Sequence, residues 1–190
     1  MEATKRPLRA DAERSVRAIL EAAEEVLAAD PSASMEQVAA AAGVARTTIH
    51  RRFASRQALI ETLALSAMQQ LAHAVDDGGP DTAPSLVTMH RITANVLQIK
   101  SAWAFALEQQ AAPNSETAHL QRMVDRRCIA VLQRAQSDGL IGEAADLDWV
   151  RRVYYALIGE SLRNHPDDAD PDTLAARIID TLLRGAGPRD

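Results

Sequence analysis

The chain has 190 residues and a formal net charge of -5, with 47% hydrophobic, 25% charged and only 3% aromatic residues. That length allows one or two domains with a buried core, and the composition is that of an ordinary globular protein. The acidic balance argues against a protein that coats nucleic acid without selectivity, and no apolar run approaches the roughly 18–20 residues needed to span a bilayer.

The polar start MEATKRPLRADAER lacks the apolar stretch of a signal peptide, and Cys128 is the single cysteine. No internal disulfide can form, which fits a reducing compartment; the expected location is cytoplasmic, with no membrane attachment. Abundant alanine and scarce β-branched runs favour helix almost everywhere, and about nine helices are predicted with no strand. Charge is uneven: residues 1–63 hold nine Lys/Arg and nine Asp/Glu, net zero, whereas residues 64–190 hold twelve and seventeen, net -5.

Residues 1–10 carry Lys5, Arg6 and Arg9 around Pro7 and read as a mobile arm. It is either a disordered tail or a segment that orders on DNA phosphates or in the minor groove. Asp11 is the expected cap of a first helix whose apolar stripe runs through Val16, Ile19, Leu20, Ala23, Val26 and Leu27. Asp30–Pro31 ends it.

Next comes SMEQVAAAAGVARTTIHRRFASRQALIETL, Ser34 to Leu63. Ser34 and Gln37 have capping-box spacing, so a short helix starts there with Val38, Ala39 and Ala42 on its apolar side. Gly43 supplies the backbone freedom of a tight turn. Val44, Ile49 and Phe53 then face inward, leaving Arg46, Thr47, Thr48, His50, Arg51 and Arg52 outward or flanking. Between Gly43 and Arg56 stand four arginines and no acid. Small hydroxyls at the start of a short helix and guanidinium groups along it suit a DNA major groove. A merely solvated basic face is the competing reading.

GVARTTIHRRFASRQALI resembles the N-terminal signature of the TetR family of transcriptional regulators, which Ser34, Ala39, Gly43, Val44, Thr48, Ile49, Phe53 and Leu59 fit as they stand. His50 replaces the usual tyrosine and Arg56 the usual lysine; both can still donate a hydrogen bond to phosphate. The resemblance implies an all-α fold, with an N-terminal three-helix helix-turn-helix DNA-binding domain and a C-terminal helical bundle for effector binding and dimerisation. The expected division is residues 1–56 for arm and head and residues 57–190 for the body. The DNA-binding set is Ser34, Arg46, Thr47, Thr48, His50, Arg51 and Arg56.

The fourth helix is predicted from Ser55–Gln57 to about Val75, with Leu59, Leu63, Met68, Leu71 and Val75 inward, and DDGGPD breaks the chain after it. Pro84 opens a fifth helix, and SAWAFALEQQAAP reads as a short sixth. Ser115 caps a seventh that closes at Gly139, and DWVRRVYYALIGESLRNH is the eighth. Asp170, Pro171 and Gly185 punctuate the ninth as cap, first turn and stop.

The last two helices carry apolar stripes that either pack within one chain or build a four-helix dimer interface. The dimerisation candidates are Val153, Tyr154, Leu157, Ile158, Leu162, Ile178, Ile179 and Leu182. A dimer also suits the function, because one short helix reads too few base pairs. The resemblance implies a small-molecule pocket among the middle helices; Met68, Met89, Trp103, Phe105, Leu107 and Met123 are the apolar candidates for lining it, with plain core packing as the alternative, and the near absence of charge there points to an apolar effector.

His73, His90 and His119 lack paired ligand spacing, so no metal site is expected, nor any cofactor. No phosphate loop, nucleophile elbow or converging acid–base pair indicates an enzyme. The expected function is a sequence-specific DNA-binding regulator, a repressor released from a near-palindromic operator by a small apolar effector. A helical ligand-binding or protein-interaction dimer without specific DNA binding is the alternative.

Overall fold

The computed structural model describes residues 5–79, 83–113, 115–163 and 170–187. Among them are nine α-helices: α1 (Lys5–Ala29), α2 (Met35–Ala41), α3 (Arg46–Arg52), α4 (Arg56–Asp76), α5 (Ser85–Ala102), α6 (Ala104–Glu108), α7 (Glu116–Ser137), α8 (Leu147–Arg163) and α9 (Pro171–Ala186). The fold is all-α. None of these helices is long and apolar enough to cross a membrane.

The chain forms two compact units, one made of residues up to Ala67 with Trp103–Ala111, the other of Met68–Ala102 with Ala112–Asp190. The first unit, the head, closes on Ile19, Leu20, Ala23 and Leu27 of α1, Met35, Val38 and Ala39 of α2, and Ile49 of α3. Phe53, then Leu59, Ile60 and Leu63 of α4, complete that core. The head therefore runs past residue 56, because the first turns of α4 carry three large side chains into it. Burying each such aliphatic side chain contributes about 1.5–3 kcal/mol.

Two helix ends differ from expectation. α1 begins at Lys5, inside the segment read as an arm, and not at Asp11. Pro7 does not prevent this, since the first-turn amides of a helix have no intrahelical acceptor to lose. Residues 1–4 and the side chains of Lys5, Arg6 and Arg9 lie outside the described residues. At the other end, Gly185 sits inside α9, and the cap is Gly187, whose N–H donates to Leu183 O at 2.6 Å. A Cβ at Gly187 would lie 2.6 Å from that same carbonyl oxygen, whereas one at Gly185 would meet nothing. Close backbone approach selects the glycine that caps.

In the second unit, α5 packs against α7, α8 and α9, and α8 against α7 and α9. Leu174, Ala175, Ile178, Ile179 and Leu182 of α9 are buried, as are Val150, Tyr154 and Ile158 of α8. Caps hold the helix starts: Ser115 Oγ accepts from Ala118 N (3.1 Å) and Asp170 Oδ2 from Thr173 N (3.0 Å). Polar ties fasten the connections: Ser85 Oγ donates to Asp138 Oδ2 (2.6 Å), Asn95 Nδ2 to Ala74 O (3.0 Å), and Arg134 to Ala83 O.

Candidate nucleic-acid interface and internal cavity

The head positions α3 through local chemistry. Ser34 and Gln37 form a capping box, with Gln37 N donating to Ser34 Oγ (3.3 Å) and Ser34 N to Gln37 Oε1 (2.8 Å). Gly43 then takes φ +64, a left-handed position that side chains resist, and turns the chain into α3. Ile49 is fully buried and anchors α3 to the head core. Helical spacing therefore puts Arg46, Thr47, His50, Arg51 and Arg52 on the exposed side, with Thr48 half-buried at its edge.

One acid meets this basic face. Glu36, in the first turn of α2, accepts from Arg46 Nε at 2.8 Å and stands 3.4 Å from His50 Nε2. Its carboxylate is held below the usual range by its own backbone N–H first and by His50 next, with Arg46 adding a smaller electrostatic pull. Arg46 opens α3, where the helix dipole disfavours a cation, so the carboxylate offsets a local electrostatic cost. The pairing joins two helices from residues ten apart, and sequence spacing gave no sign of it.

Ser34 and Arg56 have other work. The Ser34 oxygen is the cap of α2. Arg56 donates from Nε to Ala33 O (3.1 Å) and also reaches Pro31 O, so its guanidinium ties α4 to the α1–α2 loop. Of the seven DNA-binding candidates, the fold gathers Arg46, Thr47, Thr48, His50 and Arg51 on one face and leaves Arg56 bracing the head beneath it.

A different acid organises α6. Glu24 of α1, 6% exposed, accepts from Phe105 N (2.6 Å) and Ala106 N (2.9 Å), capping α6 from another helix. Burial pushes its carboxyl up, against the opposing pull of those two N–H donors. Trp103, Phe105 and Leu107 consequently pack against the head core.

The second unit holds a cavity of about 110 Å³. Leu71 and Val75 of α4, Ile92, Val96 and Lys100 of α5, and Gln121, Val124 and Cys128 of α7 line it, with Tyr154, Tyr155 and Ile158 of α8. None of the six residues expected to line a pocket is among them. Three belong to the head core, Met68 and Met89 are buried elsewhere, and Met123 is largely exposed. Apolar character marks a residue for burial but not for a particular void. What distinguishes this wall is polar: Asp125 Oδ1 accepts from Tyr155 OH (3.0 Å), Gln121 Nε2 (3.2 Å) and Arg151 NH1 (3.3 Å). Tyr154 OH bonds Thr93 Oγ1 at 2.7 Å, and Thr93 donates onward to Met89 O. Burial pushes the Cys128 thiol up to about 11.

The dimerisation candidates divide in the same way. Tyr154, Ile158, Ile178, Ile179 and Leu182 are buried within the chain itself, while Val153, Leu157 and Leu162 remain half-exposed. An apolar stripe is the same whether its partner helix belongs to one chain or two.

A family model described as "Bacterial regulatory proteins, tetR family" matches residues 19–63, the stretch from α1 to α4 that builds the head core and the exposed α3 face. The chain is also 29% identical over 174 residues to the HTH-type transcriptional repressor LfrR of Mycolicibacterium smegmatis, covering 91% of this chain and 90% of that one. The head thus matches the TetR family model, and the whole chain is similar to a TetR-type repressor. The crystal structure of LfrR in complex with proflavine matches this chain with a TM-score of 0.72 at 28% identity, over 93% of this chain and 99% of that one. A TetR-family regulatory protein from Rhodococcus RHA1 gives a TM-score of 0.78 at 16% identity over 93% and 98% of the two chains, a likeness of fold. The α3 face lies within the stretch that the family model matches.

Proposed function

We propose that the protein is a TetR-family regulator, a cytoplasmic homodimeric repressor that leaves a near-palindromic operator when a small apolar effector enters the cavity of its second unit. The observation that carries the reading is the α3 face, where Ile49 anchors the helix and the opposite side offers hydroxyls and cations to a major groove. In it Arg46, Thr47 and Thr48 meet base edges, while His50 and Arg51 contact phosphate. Two such helices about 34–36 Å apart read two half-sites one turn of DNA apart.

Repression is supported by the likeness to LfrR, a repressor. Effector binding is supported by the cavity and by the proflavine complex of that relative. The cavity is small beside the roughly 300–1,000 Å³ of typical ligand sites, so a ligand larger than a short chain or single ring enlarges it on entry. Helix α4 contributes Ile60 and Leu63 to the head core and Leu71 and Val75 to the cavity wall. A ligand that favours the non-binding conformation by about 1–3 kcal/mol lowers operator affinity roughly 5–150-fold. The dimer forms through α8 and α9, with Val153, Leu157 and Leu162 at its margin.

The test is selection of bound duplexes from a random pool at two salt concentrations. Enrichment of a near-palindrome with half-sites about one turn apart is expected. Weak, salt-sensitive binding without enrichment would reduce the α3 face to a backbone contact.

A further inference from the structure

Glu36 gives the first side chain of α3 a direction. Its Oε1 accepts from Arg46 Nε at 2.8 Å, and the same oxygen stands 3.4 Å from His50 Nε2. Arg46 and His50 lie one helical turn apart, so α3 presents both to the carboxylate from the same flank. Glu36 itself sits in the first turn of α2, between the capping-box residues Ser34 and Gln37, with Met35 and Val38 beside it buried. The carboxylate is thus carried on backbone that the head core holds in place. Arg46 is exposed and is the first residue of α3, the end from which a helix lying in a major groove reaches base edges. Its bond to Glu36 uses Nε–H, whereas the donors on the terminal nitrogens form a planar fork at the tip of the side chain.

We infer that Arg46 reads a guanine in each half-site, with Glu36 as the positioning residue that holds the guanidinium for it. This rests on the α3 face reading DNA and adds which base it takes. Guanine shows the major groove a pair of acceptors, N7 and O6. Adenine sets an amino donor beside its N7, thymine offers a carbonyl and a methyl, and cytosine a donor. A guanidinium only donates, so its fork matches guanine at both points and meets a donor at adenine or cytosine. Phosphate is the competing target, since it accepts the same fork. Glu36 works against that target: a carboxylate repels phosphate oxygens, and its hold on Nε opposes a swing of the side chain out to the backbone. A side chain already held also has less rotamer freedom to lose on binding, so more of its hydrogen bonding appears as affinity for the matching base.

The test repeats the duplex selection with Arg46→Ala and Glu36→Gln in the full-length protein, each variant first shown to unfold cooperatively. The wild-type motif is expected to hold a guanine in each half-site whose preference disappears in Arg46→Ala, while preferences at other positions survive. Replacing that guanine by 7-deazaguanine, which has C–H in place of N7, should weaken wild-type binding about tenfold. The same replacement should leave Arg46→Ala unaffected and weaken Glu36→Gln by a smaller factor. A merely structural role of either residue would not alter the response to a single base atom. Base preferences unchanged in Arg46→Ala, or wild-type binding indifferent to 7-deazaguanine, overturn the assignment while leaving a sequence-reading head in place. A 7-deazaguanine penalty as large in Glu36→Gln as in the wild type removes Glu36 as the positioning residue. A wild-type pool without any enriched sequence takes down the DNA reading, and this inference with it.

Discussion

Glu36 of α2 binds Arg46 of α3 at 2.8 Å, so the guanidinium nearest the start of α3 is held by an acid of the neighbouring helix. With the arginine side chain 73% and the glutamate side chain 44% exposed, the pair does little for stability; its effect is on where Arg46 points and on the sign of the field at the groove. Glu36→Gln should therefore raise affinity for mixed-sequence DNA several-fold, steepen its salt dependence by about one counter-ion, and blunt discrimination between sequences. Fluorescence anisotropy across a salt series reads all three. An unchanged salt slope would mean that Arg46 does not reach phosphate when released.

Arg56 stands where a phosphate contact was expected, yet its guanidinium is engaged by the carbonyls of Ala33 and Pro31. Arg56→Ala should destabilise the head by about 1–3 kcal/mol through the two acceptors it abandons. DNA affinity measured well below the melting temperature should change less than for Arg51→Ala. Loss of affinity without loss of stability would place the side chain at the DNA after all.

Glu24 couples α6 to pH. Its folded-state pKa is raised chiefly by burial, so the folded protein holds this proton more tightly than the unfolded chain does. The contribution is therefore fully present below the unfolded carboxylate pKa and is lost as the pH rises through the folded one. Relative to Glu24→Gln, the wild-type protein should gain stability as the pH falls from neutral toward the usual carboxylate range. Paired thermal melts at several pH values check the sign. Glu24→Ala, which strands the N–H groups of Phe105 and Ala106, should cost about 1–3 kcal/mol at neutral pH.

Cys128 lies on the cavity wall with its thiol pushed up to about 11. At pH 8 it should react with iodoacetamide roughly a hundredfold more slowly than an unhindered thiol, because so little thiolate is present. A ligand that fills the cavity should slow the reaction further. Mass spectrometry of timed aliquots gives both rates, and fast modification indifferent to ligand would place Cys128 outside the occupied space.

Much of this protein was legible without coordinates because its signals are local. A capping box, a glycine turn and a hydrophobic period are relations among residues a few positions apart. They located α2, α3 and most other helix ends within a residue or two, together with the exposed basic side of α3. Apolar character did not single out the residues that line the cavity. Trp103 and Phe105 are as apolar as any cavity wall, and only the capping of α6 by Glu24, some eighty residues earlier, assigns them to the head.

The chain by itself determined an all-helical fold and a short helix with an exposed basic face, since burying one stripe of each helix and turning at Gly43 admit few alternatives. Tertiary structure decided which charges act on what. Glu36 meets Arg46, Arg56 turns to the α1–α2 loop, and most of the expected dimer stripe is buried inside its own chain. Each of those outcomes depends on which helices lie side by side, and apolar stripes attract one another without specifying partners.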